Sequence, residues 1–417
     1  MFKRFCELFK HYGFTPRRFE KALQEFVQLA RQYSFVPTFP VTACVVKRNI
    51  DVFQKVDSHS VDWAVHGLNH IDYTQLTLQH VNHDYQRAQS IFNGSHLSYH
   101  GFRFPFLRRN LSCIQALSEN HFCWDSSEAI EWDVIDQTQL TKKQRFAYQK
   151  IMESYHPVPE SKAVSLPVTQ KKLIEIPVSL PDDDLLLSRL NICDHQTIWD
   201  IWHQILERVI ARGEHFALQV HPERFLHYKV PLERLVREIV NDKNAYVASL
   251  TEISNWWIEK NNFRFEIETL SDGQYKIRAK CTKRASILIK NEKSVKSSPG
   301  FFEDYSILDG HEWIFSGNPL PVIGLHPEIQ PEIVQFLRDE GYFIEISSEN
   351  KDYAIYFDDK SQLNLDDKVH ILHTIESTQN PLVRFWRWPD QKQYAFTVSG
   401  DIDAVVIQDY FNRFRGC

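Results

Sequence analysis

The stretch "DWAVHGLNHIDY" places His66 and His70 four residues apart, directly after an apolar run. Neutral imidazoles at that spacing can reach one ion from a single turn or loop, which suits zinc or a similar transition metal. The chain has 19 histidines, so the spacing alone is also compatible with ordinary surface or hydrogen-bonded core residues. A catalytic metal usually takes three protein ligands and leaves a position for water, so two imidazoles still lack a carboxylate.

A carboxylate pair stands near the other end, where "YAFTVSGDIDAVV" runs an apolar strand from Tyr394 to Val398 into Asp401, Ile402 and Asp403. On an extended strand positions i and i+2 face the same way, so both carboxylates can point at one site. The competing reading is an exposed acidic pair in a fraying tail. Arg103 in "GFRFPF" ends a strand beside Pro105, and a buried guanidinium needs a partner. Asp125 in "CWDSS" could hold it, as a structural ion pair or as part of a site. His221 in "ALQVHPERF" closes an apolar strand, the position where parallel α/β barrels carry their active sites, though a core or rim histidine also fits. Asp182, Asp183 and Asp184 after "SLP" read as a solvated loop and helix start rather than a second metal site.

These residues need a scaffold, and from Pro16 to Trp257 short apolar runs alternate with amphipathic stretches, the pattern of βα units round a parallel sheet or barrel. Thr15 is placed to cap a helix with Pro16 at its first position, and Phe19, Leu23, Phe26 and Ala30 recur at helical spacing before "SFVPTFPVTACVV" turns to strand. Val81, Tyr85, Ala88 and Phe92 mark a second helix, stopped by Asn93-Gly94, and Gly213 closes a third over "HQTIWDIWHQILERVIARG". After Asn262 the texture changes to a hairpin pattern around Asp272-Gly273, then a mixed α and β module to about Gln379.

The chain has 417 residues, enough for a large core plus a further module. Its net charge of -6 and the lack of any long Lys/Arg run argue against nucleic acid as a partner. Seven cysteines form no CxxC and no closely spaced framework, which favours reduced, mostly buried thiols. The N-terminal stretch has no apolar segment of signal-peptide length and no run is long enough to span a membrane, so the expectation is a cytoplasmic protein. Aromatics reach 13%, which suits a deep core or a sugar-stacking cleft.

Taken in order, "AVHGLNHIDY", "GFRFPF", "WDSS" and "LQVHPE" resemble the successive motifs of the polysaccharide deacetylases, the NodB-homology family of metal-dependent carbohydrate esterases. The likeness covers about residues 15 to 257 and implies a distorted (β/α)7-8 barrel. That family opens with an Asp pair on its first strand, and residues 1 to 65 contain none. The resemblance therefore implies a circular permutation, with the strand before Asp401 and Asp403 filling the first barrel position. The expected organisation is a deacetylase-like barrel over residues 1–260, a smaller α+β module over 262–380, and a strand and helix, 381–417, completing the barrel.

By the same resemblance a divalent metal, Zn2+ or else Co2+ or Mn2+, is held by His66, His70 and Asp403. Asp401 is the base that activates water, His221 the acid that protonates the leaving amine, and Arg103, steadied by Asp125, orients Asp401. Phe106 contributes a backbone N–H to the oxyanion and Trp132 lies on the substrate side. The family usually has Tyr at Phe106, and its acidic residues are adjacent, whereas Ile402 separates them here, so base and ligand could exchange between Asp401 and Asp403. The implied activity is removal of N-acetyl groups from an amino sugar or glycan precursor. Two other readings are hydrolysis of another C–N bond, as in allantoinase-like relatives, and a degenerate barrel that binds a glycan or partner.

Overall fold

The computed structural model describes residues 12–292, 295–316, 319–358 and 363–412. Strand β1 (Thr38–Val41) pairs parallel with β2 (Asp62–Val65), β2 with β3 (Tyr99–Phe102), and β3 with Trp124–Asp125. Trp124–Asp125 and Ala129–Glu131 are two halves of one bent strand, β4, and Leu173–Glu175 and Val178–Leu180 are likewise the halves of β5. The first halves pair with each other and so do the second halves, all parallel. β6 (His215–Val220) joins β5 through Leu218 and Ser179.

β7 (Tyr394–Gly400) lies between β6 and β1. It pairs in parallel with β6 from His215 opposite Ala395 to Val220 opposite Gly400, and meets β1 at Thr38 opposite Ser399 and Val41 opposite Ile402. The ring of parallel strands thus closes as a barrel, distorted where β4 and β5 bend, with β7 the last strand among the described residues. Parallel strands covered on both faces carry unbroken apolar runs, and every residue of β6 and β7 is buried.

Helices cover the barrel much as their periodicity predicts. Arg17–Gln32 buries Phe19, Leu23, Phe26 and Ala30, although its N-cap is Pro16 and not Thr15. Leu78–Gly94 buries Val81, Tyr85, Ala88 and Phe92, and His195–Arg212 ends at Gly213 in a left-handed conformation. One stretch differs. The expected strand through "TACVV" stops at Val41, and Ala43–Arg48 is a helix. The N–H groups of Ala43 and Cys44 donate to Gly67 and Leu68 carbonyls, so the chain leaves the sheet there despite two β-branched valines.

The smaller unit contains the hairpin Arg264–Thr269 with Gln274–Lys280, a sheet that includes Ile287–Lys290, and a three-stranded parallel sheet centred on Leu320–Leu325 beside helix Pro331–Glu340. Leu382–Phe385 pairs with Ile287–Lys290. The unit is fastened to the barrel by Glu340, whose carboxylate accepts from Arg384 and Arg387, while Arg387 Nη1 donates to the Arg212 carbonyl at 2.6 Å. Among the described residues no helix is long and apolar enough to cross a membrane. Cys113, Cys123, Cys193 and Cys281 are free thiols, but Cys44 is disulfide-bonded, against the expectation that the cysteines are reduced. Cys6 and Cys417 lie outside the described residues.

Candidate active site

His66 follows directly on β2, and Gly67 then turns the chain with φ at 80°. A side chain at Gly67 would meet the Tyr73 ring at 2.9 Å, and the Leu68 N–H donates to the Tyr73 hydroxyl at 2.7 Å. This turn brings His70 back to His66, with ring centroids 5.2 Å apart. His66 Nδ1 lies 2.8 Å from the Arg103 carbonyl oxygen, which can only accept, so Nδ1 carries a proton and Nε2 is the nitrogen that can ligate an ion when the ring is neutral.

Asp401 and Asp403 follow β7. The N–H of Asp401 donates to Val220 and that of Ile402 to Pro40, which continues the barrel ladder past Gly400. Ile402 is fully buried, and the carboxylates on either side of it converge elsewhere. Asp403 Oδ1 lies 3.4 Å from His66 Nε2 and Oδ2 lies 3.3 Å from His70 Nε2. One ligand atom from each of His66, His70 and Asp403 falls within 4.8 Å of the others.

The donor set suits a borderline divalent cation: two imidazole nitrogens and a carboxylate, with Asp403 Oδ1 buried and without a hydrogen bond. Burial would raise the pKa of Asp403, but His70 and His66 hold it well below the usual carboxylate range. At His66 burial disfavours the cation, and Asp401 and Asp403 outweigh it and raise the pKa. The pocket therefore favours positive charge at this point.

Arg103 is fully buried and occupied at every nitrogen, but not by Asp125. Its Nη1 donates to Asp401 Oδ1 at 2.8 Å and to Ser399 Oγ at 2.9 Å, its Nε to the Ser126 carbonyl, and its Nη2 to Ser126 Oγ. The expectation that Asp125 steadies Arg103 is thus corrected. Asp125 turns away, accepting from Ser127 Oγ at 2.6 Å and facing Arg109 at 3.4 Å. It acts one step behind, because Ser127 Oγ accepts the Phe104 N–H at 2.8 Å and so anchors the turn that carries Phe106. Phe106 adopts φ 62°, is partly exposed, and packs its ring edge-on against His70 at 4.4 Å.

Two further expectations are revised. Trp132 is buried, with Arg212 lying 5.3 Å over its ring, so it offers no surface to a substrate. The acidic triple is not a solvated loop either, since Asp182, Asp183 and Asp184 are all buried. Asp183 Oδ1 lies 2.7 Å from His221 Nδ1, and Arg224 Nη1 donates to Asp184 at 2.8 Å. Burial lowers the pKa of His221, yet the Asp183 carboxylate outweighs it and holds the imidazole well above the ordinary histidine range.

Sequence reasoning took Asp183 for a solvated residue and missed Ser126, Ser399 and Gln219. Gln219 Nε2 donates to Asp401 Oδ2 at 2.9 Å, so both oxygens of Asp401 are held. The i and i+2 rule that groups the Asp pair also puts Gln219 on the same side of β6 as His221. Nothing local marks Ser126, whose contacts depend on the bend in β4.

No family model matches the chain, and no curated protein matches it. Among solved structures it is similar to a protein assigned as a polysaccharide deacetylase from Mycobacterium smegmatis, at 15% identity and a TM-score of 0.45 over 58% of this chain and 78% of that one. It is similar to the Puue allantoinase at 12% identity and a TM-score of 0.44, covering 57% and 72%. A protein assigned as a polysaccharide deacetylase from Pseudomonas aeruginosa PAO1 gives 14% and 0.44, also covering 57% and 72%.

Proposed function

We propose that the chain is a metal-dependent amide hydrolase that removes N-acetyl groups from an amino sugar or glycan precursor. The observation that carries this reading is the convergence of His66, His70 and Asp403 within 4.8 Å, with Asp401 alongside and held by Arg103. The four sequence motifs that resemble the deacetylases supply His66, His70, Arg103, Phe106 and His221, and the strand ending in Asp401 and Asp403 supplies the carboxylates. The place of β7 between β6 and β1 fits a circular permutation of that pattern.

His66, His70 and Asp403 would hold the cation, Zn2+ or alternatively Co2+ or Mn2+. A divalent ion bound there supplies Lewis acidity to a carbonyl and to water. Asp401 takes a proton from water as the water oxygen bonds to the acetyl carbon, and Arg103 and Gln219 keep the carboxylate aimed. The Phe106 N–H, presented by its left-handed turn, donates to the oxygen that becomes negative. His221 then gives its proton to the amine nitrogen as the C–N bond breaks, and acetate and the free amine leave.

The test combines metal analysis with acetate release from N-acetylated chitooligosaccharides. Asp403→Ala is expected to lose bound metal and activity together, whereas Asp401→Asn keeps metal and loses at least about a hundredfold in kcat. A folded Asp403→Ala variant that retains wild-type metal would overturn the site.

A further inference from the structure

A cavity of about 890 Å3 opens between the barrel and the smaller unit, at the N-terminal end of β5 and thus at the opposite end of the strands from Asp401 and His221. Lys171 and Lys172 in the turn before β5, Arg264 at the start of its hairpin strand, and Arg338 near the end of helix Pro331–Glu340 all line it and are exposed. Among the described residues no carboxylate pairs with any of these four. The acidic residue of the lining, Glu345, is already engaged by Lys351 at 2.7 Å. Lys260 is a separate case, because its amine is spent on the Asp339 carbonyl. Arg264 Nη1 donates to the Asn261 and Phe263 carbonyls, each at 2.7 Å, which fixes the guanidinium without neutralising it. Four cations without a carboxylate partner round one opening, in a chain of net charge -6, create a local field that an anion would relieve.

The surface between the cations is aliphatic and amide-rich. Ile258 is 40% exposed and Ile346 45%, with Asn262 and Gln335 beside them. The half-buried aromatic of the lining, Phe265, stacks on Phe343 at 4.3 Å, so one of its faces is taken, and Phe263, Tyr342 and Phe385 are buried. Sites for single-stranded nucleic acid depend on open aromatic platforms, which this lining lacks. Helices Leu250–Lys260 and Pro331–Glu340 both end at the cavity, so it has none of the helix N-termini that hold phosphate.

We propose that this groove binds a carboxylate-bearing glycan, a segment of a uronic-acid polymer, as a docking site separate from the hydrolytic centre. Arg264 and Arg338 present planar forks that match carboxylates, Lys171 and Lys172 add positive charge, the isoleucines cover the apolar faces of sugar rings, and the amides take hydroxyls. The choice of a glycan rests on the deacetylase reading; the choice of an acidic one rests on the groove itself.

The full chain, titrated calorimetrically at low and high salt with hexagalacturonate, chitohexaose, a hexaglutamate peptide and a thymidine hexanucleotide, provides the test. Hexagalacturonate is expected to bind most tightly and to weaken with salt. The pair Arg264→Ala/Arg338→Ala, and separately Lys171→Ala/Lys172→Ala, should each weaken it about tenfold or more, with circular dichroism and Tm unchanged. Absence of uronate binding at low salt, unchanged affinity in both pairs, or tighter binding of the peptide or nucleotide through the same residues would overturn the proposal. The readout needs no turnover. Uronate binding without acetate release sinks only the deacetylase reading, and acetate release without uronate binding sinks only the groove.

Discussion

Asp183 is the residue on which the proposed acid depends. Its carboxylate, 2.7 Å from His221 Nδ1, offsets the burial of that imidazole and keeps its pKa raised. An acid whose pKa is raised stays protonated as pH climbs, so the alkaline limb of the pH–rate profile should lie high in the wild type. Asp183→Asn is expected to move that limb to lower pH while leaving bound metal unchanged; a profile that stays in place would remove His221 from the acid role. At this scale the histidine pair, Arg103 and the Asp pair were legible, because each combines a reactive group with a strand end. Asp183 was not. Three consecutive aspartates look solvated until Arg224 and His221, supplied from another segment, are folded against them.

Among elements, β3 and β4 illustrate how closely strands approach. A side chain on Gly101 would sit 1.9 Å from the Trp124 ring, whereas one on Gly94, at the end of its helix, would meet nothing within 4 Å. Gly101→Ala is expected to lower unfolding free energy by roughly 1–3 kcal/mol, because the buried indole must shift. Gly94→Ala should be neutral or stabilising by up to about 1 kcal/mol. Thermal unfolding of both variants checks the contrast, and equal Tm values would contradict it. The buried strand β7 also explains why an apolar run such as "YAFTV" precedes the Asp pair: it pairs on both sides and packs Phe396 against Phe216. Helical periodicity was readable because 3.6-residue repeats declare a buried face. The Ala43–Arg48 helix was misread because a short β-branched run carries no period, and only the carbonyls of Gly67 and Leu68 decide its path.

For the whole molecule, the junction between barrel and smaller unit stores a pH dependence. Glu214 is buried where Arg387 and Arg212 approach, and burial, which those cations only partly offset, pushes its pKa up to about 7. The native state then binds a proton between about pH 4.5 and 7 that the unfolded chain releases. The stability from this group is full below the unfolded value and is lost as pH rises through the folded one, on the order of 3 kcal/mol at most. Glu214→Gln should therefore gain stability relative to wild type in urea unfolding at pH 8 compared with pH 5. Stability curves that run parallel across that window would show that Glu214 does not titrate there.

The alternation of apolar runs and amphipathic stretches, read by itself, determined βα units round a parallel sheet or barrel with a further mixed module, since burial on both faces of a strand and one face of a helix leaves that mark in any sequence. The spacing of His66 and His70 marked two groups that could ligate a cation. Only the tertiary structure decided that Asp403 reaches His66 and His70, that Ser126 rather than Asp125 holds Arg103, and that Trp132 turns inward. Contacts between residues hundreds of positions apart depend on strand order and register, and these are set by the closing of the ring and not by any neighbour along the chain.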